Sequence, residues 1–135
     1  FSFDQLKLTN EGYVLDIPMT KIRPGTFVLE NIFFETNKWD LKSNSIIELN
    51  KVYKMLTLNK EIEIEISGHT DNVGNTKSNI ILSENRAKSV VNWLVEKGVD
   101  ITRLTFKGYG EIKPIVDNSS DENRAKNRRT ELTIK

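Results

Sequence analysis

Six consecutive residues, Glu61-Ile62-Glu63-Ile64-Glu65-Ile66, alternate acidic and apolar side chains without a fault. A β-strand points successive side chains to opposite faces, so this run is a strand with three Ile on a core and three Glu in water. A sheet with one wet face follows, and something apolar must cover the other. Two segments have the spacing to do so. Ile46, Leu49, Val52, Tyr53 and Leu56 recur at intervals of three and four before the strand, and Leu82, Ala87, Val90, Val91, Leu94 and Val95 recur after it. Ser45 and Glu48 have capping-box spacing, which starts the first helix near Asn44 or Ser45. The second runs from Thr76 or Lys77 to Lys97, with Gly98 as its C′ residue.

Three further strands complete the sheet. Thr26 to Glu35 is rich in β-branched and aromatic residues and reads as a buried strand, ended by Thr36, Asn37 and Lys38. Leu104 to Lys107 is another, with Gly108 and Gly110 marking a turn after it. Thr130, Leu132 and Ile134 alternate with Glu131 and Thr133 in a last strand from Arg129 to Ile134, preceded by a short helix over Asp121 to Asn127. The fold class is therefore α/β in the α+β sense: a two-layer sandwich, a mixed four-stranded sheet with two main helices on one face. Helical crossovers make some strand pairs parallel, and the last strand is antiparallel to its neighbour.

Residues 1 to 26 form a lead-in or linker and 27 to 135 the domain. Within the lead-in, Thr9-Asn10-Glu11-Gly12 is turn-like, Pro18 and Pro24 oppose helix, and a short strand laid on the domain is expected. Phe1 as the first residue suggests a piece of a longer protein.

Composition removes several kinds of chemistry. With 135 residues, no Cys and one His, the chain is sized for one core and has neither thiolate sites nor a multi-His metal centre. No metal and no cofactor is expected. Lys and Arg number 20 against 19 Asp and Glu, a net charge of +1, so phosphate-backbone attraction is not what this domain is built for and no nucleic-acid partner is expected. No run of about 18 apolar residues occurs, so any membrane association comes through a part of the protein upstream of this chain.

Chemistry concentrates in Gly68-His69-Thr70-Asp71-Asn72-Val73-Gly74 and the helix after it. This loop leaves the carboxyl end of a strand beside a helix N-terminus, a usual place for ligands. Asn79 and Arg86 are seven residues apart and share a helix face, about 10 Å apart along the axis. Arg86 emerges from the apolar stripe or its edge, where a guanidinium needs partners. Two readings stand: Arg86 and Asp71 pair with each other or with backbone groups as a structural clamp, or they stand apart, Asp71 taking an ammonium and Arg86 a carboxylate through its planar fork. The second would recognise a zwitterionic amino-acid head. His69 reads as a packing or loop residue, and Ser67, Ser83, His69 and Asp71 carry no nucleophile-elbow pattern, so the domain is not read as an enzyme. Gly68, Gly74, Gly108 and Gly110 lack every phosphate-loop spacing and read as tight turns. Arg124-Ala125-Lys126-Asn127-Arg128-Arg129 is a solvated strand entry whose charge suits a carboxylated ligand better than a nucleic acid.

Taken together, Thr70-Asp71-Asn72-Val73-Gly74, Asn79, Leu82-Ser83-Glu84-Asn85-Arg86-Ala87, Val90, Leu94, Gly98-Val99, Arg103, Gly108-Tyr109-Gly110-Glu111, Pro114, Asn118 and Asn127-Arg128-Arg129 resemble the OmpA-like peptidoglycan-binding domain family. Phe33-Phe34 and Leu41 resemble its first strand and the entry to its first helix, so the likeness covers about residues 27 to 135. The resemblance implies non-catalytic binding of the diaminopimelate-containing stem peptide of peptidoglycan, in the periplasm of a Gram-negative cell, anchoring an outer-membrane protein to the cell wall. The same module in a lipoprotein or motor stator, or a protein-interaction or oligomerisation domain, are the alternatives. The resemblance further implies that Asp71 meets the ammonium of diaminopimelate and Arg86 its carboxylate. Thr70 and the backbone after Asp71, including Asn72, would line the pocket, Asn79 would hydrogen-bond the stem, and Arg128 would sit at the rim. Two positions depart from the family pattern: Thr130 replaces an aliphatic residue, and Asn123 replaces a Gly, which implies a left-handed backbone there.

Overall fold

The computed structural model describes residues 8–9, 12–13, 25–30, 32, 34 and 38–135. The alternating Ile run lies across the entry to a central strand. Ile62 packs against the core just ahead of it, and Ile64 and Ile66 are fully buried within it, while Glu61 and Glu63 face water. Leu8–Thr9 (β1) and Gly12–Tyr13 (β2) pair antiparallel in a two-stranded sheet of their own, and Gly25–Leu29 (β3) opens the main sheet. Ile46–Leu58 (α1), Ile64–His69 (β4), Thr76–Glu96 (α2), Leu104–Gly110 (β5), Asp121–Asn127 (α3) and Arg129–Ile134 (β6) follow. The four-stranded order is β3-β6-β4-β5, with β4 and β5 parallel and β6 antiparallel to both of its neighbours. The last strand thus inserts between the first and second, and the expected mixed sandwich is what forms.

One apolar layer joins the sheet to both helices. Leu49, Val52 and Leu56 of α1 and Ala87, Val90 and Leu94 of α2 meet Ile64, Ile66, Leu104, Leu132 and Ile134, all buried. Each large aliphatic side chain taken out of water here contributes about 1.5 to 3 kcal/mol. α2 begins on Asn75, whose side chain accepts from Ser78 N–H, and ends as expected on Gly98. There φ is +111°, Gly98 N–H bonds Val95 C=O and Val99 N–H bonds Leu94 C=O, a Schellman closure with Val99 tucked into the core. α3 is capped by the Ser120 side chain, which accepts from Asn123 N–H.

Several expectations are corrected. The first strand stops at Leu29 instead of Glu35, because β6 offers partners only from Ile134 opposite Gly25 to Thr130 opposite Leu29. Beyond that, Ile32 packs on the core and Phe34 makes an isolated antiparallel bridge to Leu41, while Phe33 and Glu35 to Asn37 lie outside the described residues. The capping box does not form: Ser45 is already helical after a 3-10 turn over Ser43–Ser45, and its side chain does not cap α1. Glu48 is instead buried, where desolvation raises its carboxyl above the usual range against the pull of Lys51. Asn123 is not left-handed; it lies in the first turn of α3, and its amide donates to Asp117. Phe1, Asn10, Glu11, Pro18 and Pro24 lie outside the described residues.

Gly108 does not end β5, which runs on to finish at Gly110. Gly68 and Gly108 are register partners on β4 and β5, and α2 crosses directly over them. A Cβ on Gly68 would stand 2.2 Å from Ser83 C=O and one on Gly108 2.3 Å from Glu84 N. The paired glycines therefore set how close the helix comes, and only Gly110, at φ +57°, needs its glycine for backbone conformation as well.

Candidate binding site

α2 lowered onto the glycines brings its N-terminal half against the carboxyl ends of β4 and β5. Ser83, buried there, accepts from Gly110 N–H at 2.9 Å and donates to Ile80 C=O. Asn79, one turn earlier, shares its amide N–H groups among Val73 C=O at 3.0 Å, Glu111 Oε1 at 3.1 Å and Asp71 C=O at 3.4 Å. The loop after β4 is thereby fixed. Thr70 donates to Asp71 C=O, and Asp71 Oδ1 accepts from Val73 N–H at 2.9 Å, an Asx turn that locks the carboxylate's direction.

These residues form one wall of an open pocket of about 640 Å³. Thr70, Asp71, Asn79 and Arg86 all line it, joined by Arg128 from the junction of α3 and β6. Asn72 does not: it is exposed on the outer side of the loop. Asn79 is at the wall, but its amide holds the loop, a role its position in the motif did not announce. Gly68, His69, Val73, Arg129 and Thr130 also line it, and so do Ile32, Phe34, Leu82, Asp121 and Arg124, which were not singled out as site residues by sequence. The i, i+4 spacing of Arg124 and Arg128 across a predicted short helix was the available signal for the last; Phe34 lies 52 residues from Arg86 and left none.

Asp71 and Arg86 do not clamp each other. The ionic partner of Asp71 is Arg128, whose Nη1 lies 2.5 Å from Oδ2. Arg86 Nε donates to Lys38 C=O at 2.8 Å, and its guanidinium carbon stands 4.9 Å from the Phe34 ring centroid, a cation–π seat. Burial, then the like charge of Arg128, lowers its pKa from the ordinary arginine value. Arg124 pairs with Asp121 and donates to Asn118 C=O. Asp71 and Arg86 thus line one hollow without pairing with each other, Asp71 held by Arg128 and Arg86 by Lys38 C=O and the Phe34 ring.

The opposite sheet face is occupied from within. His69 is buried, stacked on Tyr109 at 5.2 Å, with Nε2 3.3 Å from Glu131 Oε1, and Arg129 Nε donates to Glu131 Oε2 at 2.6 Å. His69, then Arg129, hold the Glu131 carboxyl down to about 2 against burial. Because this folded-state value lies below the unfolded one, the stabilisation is complete above about pH 4.5 and is lost as pH falls toward 2. Glu131→Gln should flatten the acid limb of a stability-against-pH curve by at most about 3 kcal/mol, read by urea melts from pH 7 to 2; an unchanged limb would reject the pairing.

A two-layer sandwich with β6 inserted between β3 and β4, and a charge-separated pocket where the central strands meet α2 and α3, defines a ligand-binding module. The chain belongs to the OmpA family, whose model matches residues 33–128. Members are non-catalytic binding modules. It is 43% identical over 104 residues to outer membrane protein Omp38 of Acinetobacter baumannii, covering 76% of this chain and 29% of that protein. With peptidoglycan-binding protein ArfA of Mycobacterium tuberculosis it shares 41% identity over 86 residues, 64% of this chain and 26% of that one. The chain spans less than a third of either relative. Among solved structures, a MotB-like protein from Desulfovibrio vulgaris superposes with a TM-score of 0.74 at 31% identity, covering 82% of this chain and 72% of that one.

Proposed function

We propose that this domain binds peptidoglycan without catalysis, and that its pocket receives the diaminopimelate of the stem peptide. The observation that carries the reading is the separation of Asp71 from Arg86 around one open pocket, each fixed by other partners. Asp71 takes the ammonium and Arg86 the carboxylate, with Thr70 and Asn79 shaping the wall between them and Arg128 at the rim. The likeness to a relative named for binding peptidoglycan supports it. Residues 27 to 135 are the module and 1 to 26 its lead-in, in the periplasmic part of a Gram-negative cell-envelope protein. The likenesses to the MotB-like structure and to a probable lipoprotein of Escherichia coli favour a motor stator or lipoprotein as parent over an outer-membrane protein specifically. Two charge-assisted contacts of roughly 1.5 to 3 kcal/mol each, less desolvation and ordering, give micromolar-type affinity, and many copies on one membrane give firm anchoring.

Purified sacculi should pull the protein from solution. Calorimetry should then find diaminopimelate stem peptide bound at least about tenfold more tightly than the lysine-containing peptide, which lacks the distal carboxylate. Arg86→Ala should erase that preference. Equal binding of both peptides by the unaltered protein would mean that Arg86 does not read the carboxylate.

A further inference from the structure

β5 forms one border of the main sheet: among the described residues it pairs with β4 on one side and with no strand on the other. A row of backbone N–H and C=O groups along its seven residues therefore faces outward, the template that an added strand needs. The usual protections of such an edge are sparse. β5 contains no Pro, and Lys107 is its one charged residue. Phe106 shares the helix-side face with Gly108 and is 36% exposed, on the same flank of α2 where Ile80 also reaches water. The height and place of α2 leave room for a second copy. Ser83 lies over Gly68 of β4 and Glu84 over Gly108 of β5, so the helix rides midway between the two strands. A copy joined edge to edge at β5 would carry its own α2 two strand spacings away, about 9.6 Å, which is the distance of packed helices.

We propose that β5 is a dimerisation edge, pairing antiparallel with β5 of a second copy about a two-fold axis at Phe106 and held by Glu84–Lys88 pairs between the two α2 helices. Side-chain chemistry selects this register. An axis at Lys107 would engage all seven residues but set the two Lys107 ammoniums directly opposite each other. An axis at Phe106 stacks the two aromatic rings on the helix side and places Lys107 opposite Thr105. Gly108 lies under Glu84 and Gly110 under Ile80, so α2 runs against β5. The two residues from Gly108 back to Phe106 span about 6.6 Å, the rise of four to five helix residues, which brings the axis between Glu84 and Lys88. Both are exposed, so Glu84 of each copy faces Lys88 of the other. The pocket stays open, because Leu82 and Arg86 line it from the other flank of α2. The pairing is independent of what that pocket holds, and a dimer with two pockets gains avidity on any repeating ligand.

Sedimentation equilibrium of the 135-residue protein should show a reversible monomer–dimer equilibrium with a micromolar-type dissociation constant. Glu84→Lys and Lys88→Glu should each weaken the dimer about tenfold or more, since each sets like charges face to face. The double variant Glu84→Lys/Lys88→Glu restores opposite charges and should return to within about threefold of the unaltered protein. Because the chain has no cysteine, Phe106→Cys should join two copies through a disulfide at the axis under mild oxidation. Ile101→Cys, more exposed but outside β5, should stay monomeric on a non-reducing gel. Circular dichroism melts check that each variant is folded. A monomer at every concentration would overturn the pairing and leave the edge to a different chain. A dimer indifferent to the single charge reversals, or a folded double variant that does not recover, would equally overturn it.

Discussion

Gly68→Ala is expected to cost about 3 kcal/mol or more and to lower the melting temperature by about 10 °C. The added Cβ would sit 2.2 Å from the Ser83 carbonyl oxygen, which belongs to helix backbone and has no rotamer to escape into. Either α2 lifts or β4 shifts. Gly98→Ala provides the control, since that position has open space around it and only an unfavourable backbone angle, worth about 1 to 2 kcal/mol. Denaturant melts showing Gly68→Ala no worse than Gly98→Ala would mean that the sheet does not set the height of the helix. A lifted helix would also carry Asn79 and Arg86 away from Asp71, so any folded fraction should bind the stem peptide poorly.

Asp71→Asn should weaken stem-peptide binding by about 10- to 100-fold with little change in melting temperature. The amide oxygen still accepts from Val73 N–H, so the loop keeps its shape. What goes is the negative charge. Its pair with half-exposed Arg128 is worth less than about 1 kcal/mol to folding after solvent screening. Asp71→Ala, which also removes the Asx turn, should bind no better but melt lower. Unfolding of Asp71→Asn would make the Asp71–Arg128 pair a structural clamp, and calorimetry with unchanged affinity would remove Asp71 from the site.

Much of this architecture is written in local pattern. The bounds of α3 and β6 follow from a Ser120 cap and a two-residue alternation, and α2 from helical spacing closed by Gly98. The pocket's two principal charges were visible for the same reason: Asp71 follows a strand end, and Arg86 stands at the edge of a helical stripe. What the pattern hid depends on partners distant in sequence. β3 ends where β6 stops offering carbonyls and amides, which no property of residues 30 to 35 reveals. The glycines looked like turns because sequence shows flexibility but not the helix backbone pressed on them. Arg128 is 57 residues from Asp71, and a basic run next to a strand looks solvated until the sheet order places its first turn beside the loop after β4.

The position of β6 between β3 and β4 has a consequence for fluctuation. Asp71 follows the end of β4 and Arg128 precedes the start of β6, and His69 and Arg129 are paired across these interior strands. Backbone amides there should exchange with deuterium more slowly than those at either border of the sheet. Fraying of β3 would then leave Asp71 and Arg128 in place, and a pull on the pocket would enter the fold through its slowest-opening ladder.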